Sequence, residues 1–358
     1  MNSASSLNAG ALAATPRWFP HLLDPVADRV LLVEKSEGDY RDSAFLDDRS
    51  LKPGGTRHGV EWWHLEAAFP PGVRRDVQYI FHIGHVGSTL ISRLLGELGG
   101  FLAIREPLIL RTFADRLAER GRPEALWDPE SIAGRLDILT ALLSRTFRPE
   151  QRALVKATSW TNEIAADLVR VGSRALLLYV RPERYFETIL AGPNSRQELA
   201  MTAQDRLRRL NRADGGDRWR LWEMGEGERV GMAWAAEMTS LDRAAERIPA
   251  GNAMWLDFDD FLGAPAKWLG RIAAFFGVEL DEAGAEHLAA DPLMRRYSKA
   301  AEYEYSRELR EAVLAEARIE AAPAIAAARR WLDSAASASP AVAAAVARST
   351  GGDPEANR

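Results

Sequence analysis

From Val77 onward, short apolar runs alternate with segments whose apolar residues recur at helical spacing. Val77–Ile83 reads as a strand. Leu90, Ile91, Leu94, Leu95 and Leu98 then repeat with the period of one helix face. Phe101–Ile104 predicts a second strand, with a helix after Pro107 and another over Ile132–Phe147. Ala153–Val155 predicts a third strand, followed by a helix over Asn162–Val171 with Thr161 as its N-cap. Ala175–Val180, almost wholly large and apolar, is the clearest buried strand. Helices are predicted over Glu183–Leu190, Glu198–Asn211 and Glu228–Arg247. Ala253–Phe258 is the fifth strand, followed by an amphipathic helix ending near Phe276, and a last helix lies between Ser306 and Trp331. Strands alternating with helices in this way predict an α/β fold with a mostly parallel five-stranded sheet flanked by helices.

The flanks read differently. In residues 1–76, Pro, Gly and acidic clusters interrupt short apolar pieces, which predicts an irregular region packing on the core. The Trp62-Trp63 pair there is read as a strand or hairpin, and the region as a whole has no functional reading. Residues 333–358 are rich in Ala, Ser, Pro and Gly, with little to bury, and are expected to be disordered. The main domain therefore spans residues 77–332.

Composition narrows the function. The 358 residues are 47% hydrophobic and 27% charged, as in a soluble globular protein. A formal net charge of −5 gives no general attraction to nucleic acid or an anionic membrane, so a bound anion must meet a local cluster of donors. No nucleic-acid partner is expected. The absence of cysteine removes disulfides, zinc–thiolate sites, iron–sulfur clusters and cysteine nucleophiles. No run approaches the roughly 20 apolar residues needed to span a bilayer, and the N-terminal residues lack the pattern of a secretory signal, so the expected compartment is the cytoplasm. Lysine is scarce, confined to Lys35, Lys52, Lys156, Lys267 and Lys299, so one at the end of an apolar strand stands out.

The first strand leads into Gly84-His85-Val86-Gly87-Ser88-Thr89 and then into a helix. This is the strand–loop–helix context in which glycines let the backbone turn and free N–H groups converge on an anion, with Ser88 and Thr89 adding hydroxyls. The ATP-binding form of such a loop ends in Gly-Lys-Ser/Thr, and the lysine is missing here. Such a loop suits a phosphate but poorly suits ATP hydrolysis. Taken alone, the string is also what an ordinary strand–helix turn looks like.

The segment Phe81–Pro107 resembles the 5′-phosphosulfate loop of the P-loop sulfotransferase superfamily, whose members use 3′-phosphoadenosine 5′-phosphosulfate (PAPS). That resemblance implies a P-loop NTPase-like three-layer fold and sulfuryl transfer to a hydroxyl or amine acceptor by in-line displacement, with no metal. In the family the loop begins with Lys or Arg, a position held here by His85. Glu106 lies 21 residues beyond it, an offset similar to that of the catalytic glutamate in tyrosylprotein sulfotransferases. The resemblance makes Glu106 the base for the acceptor proton, although a surface glutamate paired with Arg105 reads equally well.

Further elements follow in family order. Lys156 opens Lys156-Ala157-Thr158-Ser159, similar to a Lys-Ser/Asp-Pro element without its proline, and is implied to stabilise charge on the bridging oxygen. A lysine extended from a sheet end toward water is the alternative. Arg181 after the fourth strand, with Thr188 seven residues on, resembles the 3′-phosphate element; a surface arginine capping a helix is the other reading. Arg295–Lys299 resembles a basic C-terminal element, so Lys299 is implied as a nucleotide contact, against a solvated basic turn. The Asp257, Asp259, Asp260 group reads as helix capping rather than a metal site. The resemblance thus implies His85, Glu106 and Lys156 in catalysis, and Gly84, Gly87, Ser88, Thr89, Arg181, Thr188 and Lys299 in cofactor binding. The acceptor and the oligomeric state are not legible. A P-loop small-molecule kinase and a non-catalytic nucleotide-binding protein that kept the fold are the rival readings.

Overall fold

Five strands carry the centre of the molecule, and their residues are almost all apolar because both faces are covered by helices. The structure, a computed structural model, describes residues 9–295 and 306–351. An N-terminal part contains α1 (Ala9–Ala14), β1 (Trp18–Asp24), β2 (Arg29–Glu34), α2 (Glu37–Asp42), β3 (Arg57–Glu61) and α3 (Trp62–Ala68). The main sheet and its helices then run β4 (Gln78–His82), α4 (Ser88–Glu97), β5 (Phe101–Arg105), α5 (Leu108–Leu117), α6 (Pro129–Leu143) and β6 (Arg152–Lys156). They continue with α7 (Ala165–Leu168), β7 (Ala175–Tyr179), α8 (Pro182–Leu190), α9 (Pro193–Asp214), α10 (Glu226–Arg247) and β8 (Ala253–Asp257). The chain ends through α11 (Phe258–Gly263), α12 (Pro265–Phe275), α13 (Glu282–Ala289), α14 (Arg307–Glu320), α15 (Ala322–Ala338) and α16 (Pro340–Gly351).

The main sheet has the order β5-β6-β4-β7-β8, and every pairing is parallel. The five expected strands are therefore the five observed. β4 is central, with the next two strands on one side and the last two on the other, so the order reverses beside it. Such a reversal opens a crevice at the carboxyl ends of the strands, where ligands of open α/β sheets bind. No helix among the described residues is long and apolar enough to cross a membrane.

The two flanks depart from expectation. Residues 18–61 form an antiparallel sheet, β1-β2-β3, where an irregular region was expected. Trp62-Trp63 starts a helix; Trp62 is buried while Trp63 is exposed against His64. Two buried arginines join this part to the core. Arg105 donates to the carbonyls of Tyr40, Arg41 and Ser43. Arg145 donates to those of Leu12 and Thr15 at 2.7 and 3.0 Å and of Trp18 at 2.7 Å. Burial without an acidic partner in contact pushes both guanidinium pKa values down to about 10.

The tail from residue 333 is helical through Gly351 rather than disordered. Just ahead of it, the first half of α15 packs by close approach rather than by large side chains. A Cβ on Gly227 or Gly231 of α10 would come within 2.3 or 2.6 Å of the carbonyl oxygens of Ala324 and Ala328 in α15. Small residues on both helices let the backbones touch, which brings many atoms into dispersion contact. In the tail itself Ala335, Val342 and Ala345 are buried. The last predicted helix is in fact two, broken before Pro323. The helix expected over Asn162–Val171 is a 3₁₀ turn, Ser159–Ile164, running into the short α7; the Thr161 hydroxyl donates back to the carbonyl of Thr158 instead of capping.

Candidate functional site

Because the strands are parallel, their last residues line one edge in sheet order. Glu106 follows β5, Lys156 ends β6, the loop 84–87 follows β4, Arg181 follows β7 and Asp257 ends β8. Adjacent strands are about 4.8 Å apart. Lys156 and Arg181 therefore flank the loop on opposite sides, with Glu106 one strand beyond Lys156.

The loop takes an unusual backbone. Gly84 and Gly87 have φ of +84° and +67°, and His85 between them has +56°. Gly87 is the N-cap of α4, so the first N–H groups of that helix have no partner within it. Gly87 is required on two counts: a Cβ would also stand 2.0 Å from the Phe258 ring. His82 fixes the loop from below, its Nδ1 accepting from the Gly84 N–H at 3.0 Å while Nε2 donates to the Ala157 carbonyl at 2.8 Å. Ser88 and Thr89 are both buried, and Thr89 Oγ1 has no hydrogen-bond partner among the described residues.

Glu106 also has positive φ, +50°. Among the described residues, only Asp28, His85 and Glu106 combine a side chain with this conformation, which costs on the order of 1–3 kcal/mol and concentrates at functional sites. Two of the three border the crevice. The Glu106 carboxylate pairs with the Lys156 ammonium, and its N–H donates to the Lys156 carbonyl at 2.7 Å. Lys156 is buried and Glu106 mostly so, which excludes both the surface glutamate paired with Arg105 and the lysine reaching for water. Arg105 is instead committed to the N-terminal part.

Arg181 keeps 61% of its side chain exposed and stands 3.6 Å from the buried Asp257 carboxylate. Asp257 accepts from the N–H of Asp259 at 2.9 Å and caps α11, the capping expected of it. Burial foremost pushes its pKa up to about 6, with Asp259 and Asp260 adding to the rise; the Asp259 N–H and Arg181 oppose it. Thr188 lies on the α8 that starts beside Arg181, but its hydroxyl donates to the Arg184 carbonyl at 2.7 Å, a common bond for helical threonine. Lys299 lies outside the described residues.

Several residues join the site that the sequence did not single out for it. Phe45, between α2 and β3, places its ring 5.7 Å from Lys156 Nζ, with the Arg49 guanidinium stacked on it at 3.8 Å. Glu198 of α9 contacts His85, and Arg206 lies near Gly84. Phe258 packs on Gly87, with Arg310 of α14 against its ring at 5.6 Å. The one signal in the sequence was Glu237, a carboxylate inside the apolar stretch 230–241, which demanded buried cations as partners.

No family model matches the sequence, and no curated protein matches it. Among solved structures the chain is similar to a sulfotransferase domain from the curacin biosynthetic pathway, at 14% identity and TM-score 0.37 over 66% of this chain and 85% of that one. It is similar to a sulfotransferase from Alicyclobacillus acidocaldarius at 15% identity and TM-score 0.36, over 72% of this chain and 96% of that one. A mouse sulfotransferase complexed with PAP aligns at 11% identity and TM-score 0.30, over 61% of this chain and 64% of that one. At such identities and TM-scores this likeness to solved sulfotransferases carries no argument about chemistry, and the α/β fold stands on the strand order itself.

Proposed function

We propose that this chain transfers a sulfuryl group from PAPS to a hydroxyl or amine acceptor. One observation supports this reading above the others: Glu106, Lys156, the phosphate loop and Arg181 follow one another along the carboxyl edge of the parallel sheet. A base, a buried cation, an anion-binding loop and an exposed arginine in that order suit a ligand with anionic groups at two ends.

The donor set fits such a ligand. The loop N–H groups, Ser88 and Thr89 face one anionic group, and the unpaired Thr89 hydroxyl gains the partner it lacks, an omission that costs a buried polar group about 1–3 kcal/mol. Arg181 holds the second, since a guanidinium can grip a phosphate with two parallel N–H donors. Thr188 joins it only by giving up its bond to the Arg184 carbonyl. PAPS supplies an electrophilic sulfuryl group and a leaving phosphate oxygen.

Glu106 takes the acceptor proton, and as its carboxylate is neutralised its hold on Lys156 weakens. The ammonium can then turn a donor toward the oxygen on which charge develops, alongside the loop N–H groups. The Phe45 ring, with Arg49 stacked on it, stands beside Lys156. His85, with Nε2–H given to Glu198, adds a donor at the loop only when Nδ1 is protonated.

The test is calorimetric titration with adenosine 3′,5′-bisphosphate and with ATP–magnesium, on the wild type and Arg181→Ala. Micromolar binding of the bisphosphate, weaker ATP binding, and a loss of roughly ten- to hundredfold in the variant are expected, the worth of a hydrogen bond to a charged group. Preferential ATP binding that ignores Arg181 would overturn the reading and favour a kinase. Bisphosphate binding without turnover of labelled PAPS over a broad acceptor panel would favour a binding protein.

A further inference from the structure

His85 is turned toward α9. Its Nε2 lies 3.1 Å from Glu198 Oε2, and because a carboxylate only accepts, Nε2 carries the hydrogen. Glu198 is steadied from behind. Arg206, nearly inaccessible, stands 3.6 Å from the other carboxylate oxygen and donates to Glu237 Oε1 at 2.9 Å. Glu237, wholly buried in α10, also accepts from Arg209 at 2.8 Å and from the Asn162 amide at 3.1 Å. That same amide donates to the carbonyl of His82 at 3.0 Å. A polar network thus leaves the end of β4, crosses the core and returns to the loop at His85.

Charged groups from two helices face His85. Glu198 and Arg206 come from α9, with Arg209 behind them, Glu237 comes from α10, and His82 below the loop has both ring nitrogens bonded to backbone. Among these described neighbours of the ring, two carboxylates stand against two guanidiniums. With Nε2–H given to Glu198, only Nδ1 remains, the ring nitrogen nearer the loop backbone, and it has no partner among the described residues. In a neutral ring that nitrogen is an acceptor, which repels an oxyanion; it becomes a donor only by taking a proton.

We propose that His85 and Glu198 make the phosphate loop a proton-linked oxyanion site, where binding of a phosphate or sulfate ester is accompanied by uptake of one solvent proton at His85 Nδ1. Glu198 is the positioning residue: it fixes the ring by Nε2 and balances the imidazolium. No covalent bond changes, and the proton is drawn from the buffer. The proton adds a positive charge at the loop as the ligand binds. The inference rests on the loop being an anion site and deepens that reading.

Calorimetry with adenosine 3′,5′-bisphosphate across pH 6.5–8.5, in buffers of different ionisation enthalpy, tests it. The wild type should take up a proton, and its affinity should fall up to about tenfold per pH unit above neutrality. His85→Asn should lose both effects. His85→Arg should bind independently of pH, and Glu198→Gln should move the midpoint of the pH dependence downward. Binding without proton uptake in the wild type would overturn this inference and leave the proposed function standing. If the bisphosphate does not bind at all, the proposed function fails instead, and ¹⁵N spectra of His85 titrated with inorganic sulfate decide the present point. A shift to the doubly protonated pattern, abolished or weakened in Glu198→Gln, sustains it; an unmoved ring refutes it.

Discussion

Gly87→Ala tests the loop most directly, because two independent costs meet at one methyl group. The backbone has φ of +67°, and the added Cβ would lie 2.0, 2.1 and 2.6 Å from three atoms of the Phe258 ring. A left-handed conformation costs a residue with a side chain about 1–2 kcal/mol. Forcing a methyl group into a packed site adds about 1–3 kcal/mol. The ring cannot simply retreat: Phe258 is buried, parallel to Phe261 at 5.8 Å, with Arg310 against it. The expected destabilisation is therefore about 2–5 kcal/mol, accompanied by loss of bisphosphate binding as the loop opens. A double-mutant cycle separates the two costs. Phe258→Ala alone should cost about 3–5 kcal/mol, but once the ring is gone Gly87→Ala should cost only its backbone part. Urea unfolding of the four proteins should thus show a favourable coupling of about 1–3 kcal/mol. Strict additivity, or a Gly87→Ala protein within about 0.5 kcal/mol of wild type, would refute the close approach of ring and loop.

Three other outcomes follow from the same structure. Glu106→Gln removes the carboxylate paired with the buried Lys156 ammonium and should cost up to about 3–5 kcal/mol in urea unfolding, while Glu106→Gln/Lys156→Met should recover much of it; a single variant as stable as wild type would show the pair to contribute little. Asp257 has its pKa raised to about 6, so its contribution is fully present below its unfolded value near 3.8 and is lost as pH rises through about 6. Asp257→Asn, which can still cap α11, should therefore be more stable than wild type by about 1–3 kcal/mol at pH 7.5, with the advantage gone at pH 4, as read by unfolding at the two pH values. Arg145→Met leaves the carbonyls of Leu12, Thr15 and Trp18 without their donor, and should cost about 3 kcal/mol or more; limited proteolysis should then cut first within residues 9–24, and an unchanged cleavage pattern would argue against Arg145 as the clasp.

The main sheet was legible because parallel strands covered on both faces need unbroken apolar runs, and β4, β5 and β7 are buried at every position. The same logic located Gly84–Thr89, Glu106, Lys156 and Arg181, since each sits where such a run ends. What the pattern could not reveal was contact between distant segments. The tail was misread because its buried residues, Ala335, Ser339, Val342, Ala345 and Ser349, are mostly small and leave little hydrophobic signature. Phe45, with Arg49 stacked on it, reaches Lys156 from an N-terminal part whose carbonyls Arg105 and Arg145 bind, interactions between a side chain and a backbone that has no sequence code. Periodicity by itself determined which residues stand at the carboxyl edge of the sheet, because strand burial is a local, one-dimensional property. Only the tertiary structure decided that Glu106 pairs with Lys156 and that His85 answers to Glu198, because a buried charge takes whichever partner the packing of separate helices brings within reach.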